Sequence, residues 1–318
     1  MMRRFLTVLA AALALLAGAA GQARAENIFV LTTQNQIFSF DSATPGAATL
    51  PRNVTGLQTG EVLLGIDIRP RDGQIYGLTS NNRIYTINPM TGAATLVSTL
   101  SQPLQGSAFG IDFNPIPDTA GLASYRVVSN ANTNLRINAD TGLVNMDGNL
   151  QFNQGSMGTP PDPNSAQNPN IEAVAYSNNF FGNVAGNPGT TLFGIDTNLG
   201  VLVTVNPPNN GTLNTIGPIL LNGTGPNVGI SELATFDISG LTGTAYAALN
   251  ITGGNSSLYT INLSTGAATF VGLIGNGFQI RGLAAPIGTP VPEPATLTLF
   301  GAGLASLAGY ARRRKRNI

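Results

Sequence analysis

The feature that most constrains the fold of this chain is a repeat of four short β-rich runs separated by turn residues. Its clearest copy covers residues 65–97, and a nearly identical version of the last two runs returns at residues 258–271. Short runs of this kind, broken by Gly, Asn and Pro, are typical of antiparallel strands. Repeats of about 40 to 60 residues with four strands each are typical of β-propeller blades.

The turn between the last two runs has a fixed pattern, in which a Gly follows an apolar or aromatic residue by seven positions. The pairs are Tyr85 and Gly92, Leu135 and Gly142, and Tyr259 and Gly266. An Asn or Asp in the turn is expected to accept a hydrogen bond from the backbone two residues on, and Gly supplies the positive φ. A calcium loop is the alternative, but it needs several carboxylates, and each turn holds one or two polar ligands. The pattern favours a hairpin turn.

The first and last copies of the repeat are incomplete, and each lacks what the other contains. Copies of its first run occupy residues 64–68, 109–113, 172–176, 232–236 and 281–285. The last copy stands alone, whereas the first unit starts directly with its second run. The leftover strand complements the missing one, which is how a propeller closes its ring and protects its sheet edges. We therefore predict an all-β fold, a β-propeller of about five four-stranded blades.

Two alternatives to five blades remain at this point. Insertions at residues 153–170 and 178–188 enlarge the third and fourth units, which leaves a sixth, degenerate blade open. A β-sandwich is the second alternative, but it does not explain the split repeat.

Composition excludes several classes of function. The 318 residues include no Cys, His or Trp. A disulfide framework, thiolate or imidazole metal ligands and a Ser-His-Asp triad are therefore excluded. Residues 26–290 contain seven Arg, no Lys and fourteen acidic residues, a net charge of −7. Because nucleic-acid binding needs clustered cations, we expect no nucleic-acid partner.

The N-terminal residues 1–25 have the pattern of a secretory signal peptide. Arg3 and Arg4 precede an apolar run, and the small residues Ala23 and Ala25 form a small-x-small cleavage site. An uncleaved membrane anchor is the alternative, but the apolar run is short for a span. We predict export, with residues 26–290 as the exported domain.

The C-terminal residues 291–318 contain three features in order: the motif Val291, Pro292, Glu293 and Pro294, then an uncharged stretch at residues 295–311, then a basic tail. The tail residues are Arg312, Arg313, Arg314, Lys315 and Arg316. The 17 uncharged residues would span about 25 Å as a helix, and the cations would hold its end in the cytoplasm. We predict a transmembrane helix here.

This end of the chain resembles the PEP-CTERM sorting signal of exported bacterial proteins. The resemblance implies recognition by the export machinery and by a membrane-bound sorting enzyme, with anchoring followed by placement at the cell surface or outside the cell. It leaves open whether the helix is removed.

Residues 28–286 resemble a family of exported bacterial proteins defined only as a domain of unknown function. In that family, Gly-Ile-Asp-Phe-type runs such as Gly110 to Phe113 alternate with Tyr-Thr-Ile-Asn runs such as Tyr85 to Asn88. The resemblance implies a propeller-like fold, and it assigns no catalytic residues.

Five polar residues of the first run form a candidate axial cluster. The alignment of the repeats puts Glu172, Glu232 and Arg281 in one column, and Asp67 and Asp112 in another, three positions on. Because the first strand of each blade lines the axis, these side chains are expected to converge on one mouth or channel.

Three interpretations of this cluster differ in chemistry. It can be structural, with Glu172 and Glu232 paired to Arg281, it can hold a cation, or it can cleave a glycosidic bond with an acid and a base. The structural interpretation is favoured because ion pairs are more common than catalytic dyads. A structural Ca²⁺ ion is the one cofactor left open, and no catalytic residue is assigned.

These observations favour a non-catalytic surface or matrix scaffold whose partners are extracellular polysaccharide or envelope proteins. The alternative is a secreted glycoside hydrolase or lyase that uses the axial carboxylates.

Overall fold

The computed structural model describes residues 25–119, 121–122, 124–182, 189–221, 229–251 and 254–288. Within these ranges, five β-sheets are arranged as the blades of a propeller, so the predicted all-β fold and the count of five blades are confirmed.

Four blades are built from consecutive strands. Blade 2 contains β4 (Leu63–Ile68), β5 (Ile75–Thr79), β6 (Arg83–Ile87) and β7 (Ala94–Thr99). Blade 3 contains β8 (Phe109–Phe113), β9 (Tyr125–Ser129), β10 (Asn134–Ile137) and β11 (Val144–Met146). Blade 4 contains β13 (Ile171–Tyr176), β14 (Leu192–Asp196), β15 (Val201–Val205) and β16 (Thr212–Pro218). Blade 5 contains β17 (Thr235–Ile238), β18 (Ala245–Asn250), β19 (Ser256–Ile261) and β20 (Ala268–Leu273).

Short elements decorate blades 3 and 4. Helix α1 (Pro115–Thr119) follows the inner strand β8, and a 3₁₀ turn (Pro208–Asn210) precedes β16. Strand β12 (Gln151–Phe152) pairs in parallel with β16 and adds a fifth strand to the outer edge of blade 4.

Blade 1 joins the two ends of the ring. It contains β1 (Asn27–Thr32), β2 (Gln36–Asp41), β3 (Arg52–Asn53) and, as its inner strand, β21 (Ile280–Ala284). Strands β1 and β21 are antiparallel, with Val30 opposite Leu283. The isolated last copy of the repeat therefore supplies the strand that the first unit lacks, as the phase of the repeat predicts.

The hairpin turns have the predicted mechanism. Asn88 Oδ1 accepts hydrogen bonds from the backbone NH groups of Met90 (2.9 Å) and Thr91 (3.1 Å), and Gly92 has a φ of 78°. Asn138 repeats this arrangement in blade 3, with its turn closed by Gly142 at a φ of 76°. A Cβ atom on Gly142 would overlap the Thr99 carbonyl of blade 2, so this Gly also permits close contact between blades.

The hydrophobic core is divided into five clusters, and each lies between two neighbouring blades. Between blades 5 and 1, for example, Tyr246 and Leu258 pack with Ile28, Val30 and Leu283. Each blade thus buries both of its faces, and the inner strands contact one another around the axis in the order β4, β8, β13, β17, β21 and back to β4.

Two buried arginines connect consecutive blades near this core. Arg69, directly after β4, forms ion pairs with Asp118 of α1 (2.8 Å) and with Asp140 in a turn of blade 3. Arg126 of β9 pairs with Asp147 (2.7 Å) and donates hydrogen bonds to the Tyr176 hydroxyl and the Asn209 side chain of blade 4. Both guanidinium groups are at most 2% exposed, and their charges are compensated by these partners.

The ring closure generates a first prediction. Leu283→Ala should lower the free energy of unfolding by about 2–5 kcal/mol, because Leu283 is buried between the first and last parts of the chain and truncation leaves a cavity. Urea denaturation measures this change. Leu241→Ala is the control, since Leu241 is 45% exposed. Equal effects of the two substitutions would contradict the importance of the closing strand.

Candidate functional site

Aspartates on the inner strands connect neighbouring blades through backbone hydrogen bonds. Asp67 of β4 accepts a hydrogen bond from the Phe113 NH group of blade 3 at 2.7 Å. Asp237 of β17 accepts one from the Ala285 NH group of blade 1 at 2.6 Å. The second oxygen of each carboxylate accepts the NH group of the next residue, Ile68 or Ile238, at 2.6 Å.

Asp112 of β8 makes the third connection of this kind. Its Oδ2 atom accepts a hydrogen bond from the Tyr176 NH group of blade 4. Blades 4 and 1 have Ala175 and Ala284 at the corresponding positions, so only three of the five junctions carry a carboxylate.

The three aspartates, which we call the axial trio, lie together on the axis. One oxygen from each of Asp67, Asp112 and Asp237 lies within 4.8 Å of the others, and each residue is 1% exposed. Burial raises the pKa of Asp67 to about 6. Burial and the neighbouring carboxylates also raise the pKa values of Asp112 and Asp237. In the described ranges no Arg forms an ion pair with the trio, so three full negative charges there are unfavourable.

The structure differs from the alignment of the repeats in blade 5. Asp237 lies opposite Tyr246, as Asp67 lies opposite Tyr76, so Asp237 occupies the aspartate column. The alignment put Thr235 there and Glu232 in the column of Glu172, a slip of two residues. Because side chains alternate along a strand, such a slip leaves the same side chains on the same faces. One signal could have located Asp237: nine positions separate it from Tyr246, as nine separate Asp67 from Tyr76.

Glu172 lies on β13 but is not part of the trio. Its two oxygens accept hydrogen bonds from Asn170 Nδ2 and Thr197 Oγ1, both at 2.9 Å, and the residue is 1% exposed. Burial raises its pKa, and the charges of Glu232 and Asp196 raise it further, whereas the two hydrogen bonds lower it. Glu172 thus has local partners instead of an ion pair with Arg281.

Glu232 and Arg281 both lie at one end of the propeller, where the inner strands begin. They line a cavity of about 310 Å³ that we call the mouth, together with Val62, Leu64, Phe109 and Leu233. Arg281 is half-buried, and its Nη1 atom donates to the Leu63 carbonyl at 3.3 Å. Burial lowers its pKa. Among the described residues, no carboxylate lies within ion-pair distance of Arg281.

The mouth shares Phe109, Ala234 and Arg281 with a much smaller axial cavity of about 20 Å³. Glu172 and Arg281 both line it, and it reaches Ile66, Ile111 and Phe236, which directly precede the trio. The structure therefore separates the predicted cluster into two places: Asp67 and Asp112 lie in the trio, whereas Glu232 and Arg281 lie at the mouth with Glu172 between them.

A buried carboxylate beside the mouth, Glu61, was missed by the sequence reasoning because it lies outside the repeated runs. Tyr85 Oη and the Gln58 NH group donate to its Oε2 atom, and Thr79 Oγ1 and Arg83 Nη1 donate to Oε1. Burial alone would raise its pKa, but these hydrogen bonds outweigh it and hold the pKa of Glu61 below its ordinary value. Glu61 fixes the segment that leads into Val62 of the mouth.

The lowered pKa of Glu61 generates a second prediction. An acid with a lowered pKa in the folded state stabilises the protein above its ordinary pKa, and this contribution is lost as the pH falls below about 4.3. Glu61→Gln should therefore cost about 2–3 kcal/mol at pH 7 and less at pH 3.5. Urea denaturation at both pH values tests this, with Glu232→Gln as the exposed control. The same loss at both pH values would contradict it.

The predicted targeting segments lie outside the described residues: Ala23 at the cleavage site, the motif Val291 to Pro294, and the basic tail. The helix predicted at residues 295–311 lies outside them as well. Within the described ranges, no helix has the length and apolar character needed to cross a membrane.

The fold defines the class of protein: a five-bladed β-propeller closed by its terminal strands. The chain belongs to the family described as a domain of unknown function, DUF4394, which it matches over residues 36–284. A PEP-CTERM protein-sorting motif matches residues 290–315, so the protein carries the signal of a sorting and export system and is exported.

Three solved structures resemble the chain distantly. The computationally designed Ika8 protein is 11% identical with a TM-score of 0.36, and the match covers 82% of this chain and 63% of that one. A Bacteroides thetaiotaomicron VPI-5482 protein of unknown function is 11% identical with a TM-score of 0.43, over 76% and 57% of the two chains. Myxococcus xanthus glutaminyl cyclase is 10% identical with a TM-score of 0.36, over 75% and 97%.

The chain thus spans less than two thirds of the first two of these structures, and at these scores the similarity carries no inference about activity. No curated protein matches the sequence.

Proposed function

We propose that this exported protein is a non-catalytic scaffold at the cell surface or in the extracellular matrix, and that it binds extracellular polysaccharide at the mouth of its propeller. The observation that carries the proposal is the composition of the mouth. A half-buried guanidinium group, Arg281, and an exposed carboxylate, Glu232, stand among apolar side chains in one cavity of about 310 Å³.

This combination suits a sugar chain. Sugar hydroxyl groups can donate to the Glu232 carboxylate and accept from the Arg281 guanidinium group, and the ring of half-buried Phe109 offers an apolar face for the C–H side of a sugar. Few polar groups among apolar side chains are typical of small-ligand sites, since the polar groups fix orientation and the apolar ones supply contact area.

The absence of a carboxylate beside Arg281 among the described residues supports binding rather than a structural ion pair. Its charge is partly desolvated by burial, so a ligand oxygen placed against it would replace lost hydration. An outside ligand is therefore the natural partner of this side chain.

The burial of the other carboxylates supports a non-catalytic role over a hydrolase or lyase. An acid–base pair for glycoside cleavage must reach the scissile bond, with its two carboxylates on opposite sides of it. Glu172 is 1% exposed with both oxygens hydrogen-bonded inside the protein, and the axial cavity beside it, about 20 Å³, has no room for a sugar ring.

Retention of the purified protein on the host's extracellular polysaccharide tests this function, with released sugars assayed in the same tube. We expect retention without release. Arg281→Gln and Glu232→Gln should each weaken retention about tenfold, because a charge-assisted hydrogen bond contributes about 1.5–3 kcal/mol. Arg52→Gln is the matched control, since Arg52 is exposed on the outer strand β3.

Release of sugars would overturn the proposal in favour of the carboxylate enzyme. Neither retention nor release would also overturn it, and it would leave a scaffold for envelope proteins as the surviving alternative. Melting temperatures of the variants must match the wild type, so that weaker retention reports binding and not unfolding.

A further inference from the structure

Among the described residues, eight buried side-chain atoms have no hydrogen-bond partner, and two of them concern the axial trio. One is Oδ1 of Asp112, a member of the axial trio, and the other is the hydroxyl oxygen of Tyr125 on β9. Asp112 is 1% exposed and Tyr125 is fully buried. Leaving buried polar groups unpaired costs about 1–3 kcal/mol each. A proton shared with Asp67 would satisfy the Asp112 oxygen, and a cation bound by the trio would satisfy it as well.

The Tyr125 hydroxyl stands in the electrostatic field of the trio. Tyr125 is the cross-strand partner of Phe113, on which its ring stacks at a centroid distance of 4.4 Å, and the NH group of Phe113 donates to Asp67. Burial raises the pKa of Tyr125, and the charges of Asp67 and Asp112 raise it further. This second unpaired group is independent of the carboxylates and lies near enough for the charges of Asp67 and Asp112 to act on it.

The spacing of the carboxylates fits a coordinated cation. Three atoms no more than 4.8 Å apart share a point that lies at most about 2.8 Å from each of them. Calcium–oxygen bonds are about 2.3–2.6 Å long, so a small contraction of the trio would bring all three oxygens into contact with one ion. Mg²⁺ needs shorter bonds of about 2.0–2.1 Å and retains several waters, which the narrow axis does not favour.

The negative charge of the trio also favours a bound cation. The buried arginines nearest in the fold, Arg69 and Arg126, are already paired with Asp118, Asp140 and Asp147. Backbone NH groups supply the hydrogen bonds of the trio and carry no net charge. The axial cavity of about 20 Å³ reaches the residues directly before the trio, which gives space for one water ligand and a direction of entry from the mouth.

We propose that Asp67, Asp112 and Asp237 bind one Ca²⁺ ion on the propeller axis. The ion connects blades 2, 3 and 5, whose aspartates already reach blades 3, 4 and 1 through backbone hydrogen bonds. It therefore ties together all five blades and stiffens the ring. The sequence left a structural Ca²⁺ ion open, and the trio, with Asp237 as its third member, gives it a defined place.

The experiment measures Ca²⁺ binding to the full chain after chelation, by isothermal titration calorimetry, together with the melting temperature in EDTA and in CaCl₂. We expect one Ca²⁺ ion per chain. At a free concentration 100 times the dissociation constant, the melting temperature should rise by about 5–10 °C.

Asp112→Asn is the decisive variant. Its amide oxygen can still accept the Tyr176 NH group, so the contact between blades 3 and 4 is kept while one anionic ligand is removed. We expect this variant to lose the calcium-dependent rise and, in EDTA, to melt at or above the wild-type temperature because repulsion within the trio is smaller. Asp41→Asn, at an exposed aspartate at the end of β2, should bind Ca²⁺ as the wild type does.

Absence of stoichiometric Ca²⁺ binding to the wild type, with equal melting temperatures in EDTA and CaCl₂, would overturn the proposal, and protons would then compensate the trio. Ca²⁺ binding that Asp112→Asn retains would overturn it as well, because the ion would lie elsewhere. The wild-type titration is decisive even where a variant fails to fold. The outcome is independent of polysaccharide retention, which concerns the mouth.

Discussion

The pairing of β1 with β21 is the interaction on which the rest of the structure depends. Every blade has two apolar faces, and the five hydrophobic clusters lie between blades and not inside them. A row of five blades would expose two of these faces and leave β1 and β21 unpaired with each other, whereas the ring covers both faces and pairs the two strands. The strand pairing between the first and last parts of the chain converts the row into a ring.

Closure also places polar groups on the axis, since the inner strands of all blades must meet there. The carboxylates of Asp67, Asp112 and Asp237 satisfy backbone NH groups of neighbouring blades, but they are buried within 4.8 Å of one another. The hydrogen bonds hold the blades in register, and the concentrated negative charge requires compensation by protons or by a cation. The hydrogen bonds that stabilise the ring thus also hold three carboxylates close together in its interior.

The same arrangement separates structure from binding along the axis. Deep in the ring, Glu172, Arg69 and Arg126 are each held by hydrogen bonds or ion pairs within the protein. At the mouth, Arg281 donates one hydrogen bond to the Leu63 carbonyl, and among the described residues neither Arg281 nor Glu232 forms an ion pair. A ligand that approaches from outside therefore meets a rim whose charges have no ion-pair partner in the fold. This separation underlies the proposed scaffold function.

The sequence by itself determined the all-β propeller, the closing strand, the turns around Asn88 and Asn138, and the C-terminal sorting signal. These features are local, because short strands, turn residues and sorting motifs are each encoded within a few consecutive residues. Only the tertiary structure decided which carboxylates meet on the axis. The alignment of blade 5 was wrong by two residues, so it chose Glu232 and missed Asp237. A shift of two residues keeps every side chain on the same face of the strand, so the alternating pattern of the sequence does not reveal the error. The partners of Arg69, Arg126 and Glu172 likewise depend on how strands and loops pack together, and contacts between separate segments of the chain leave no periodic signal in a single sequence.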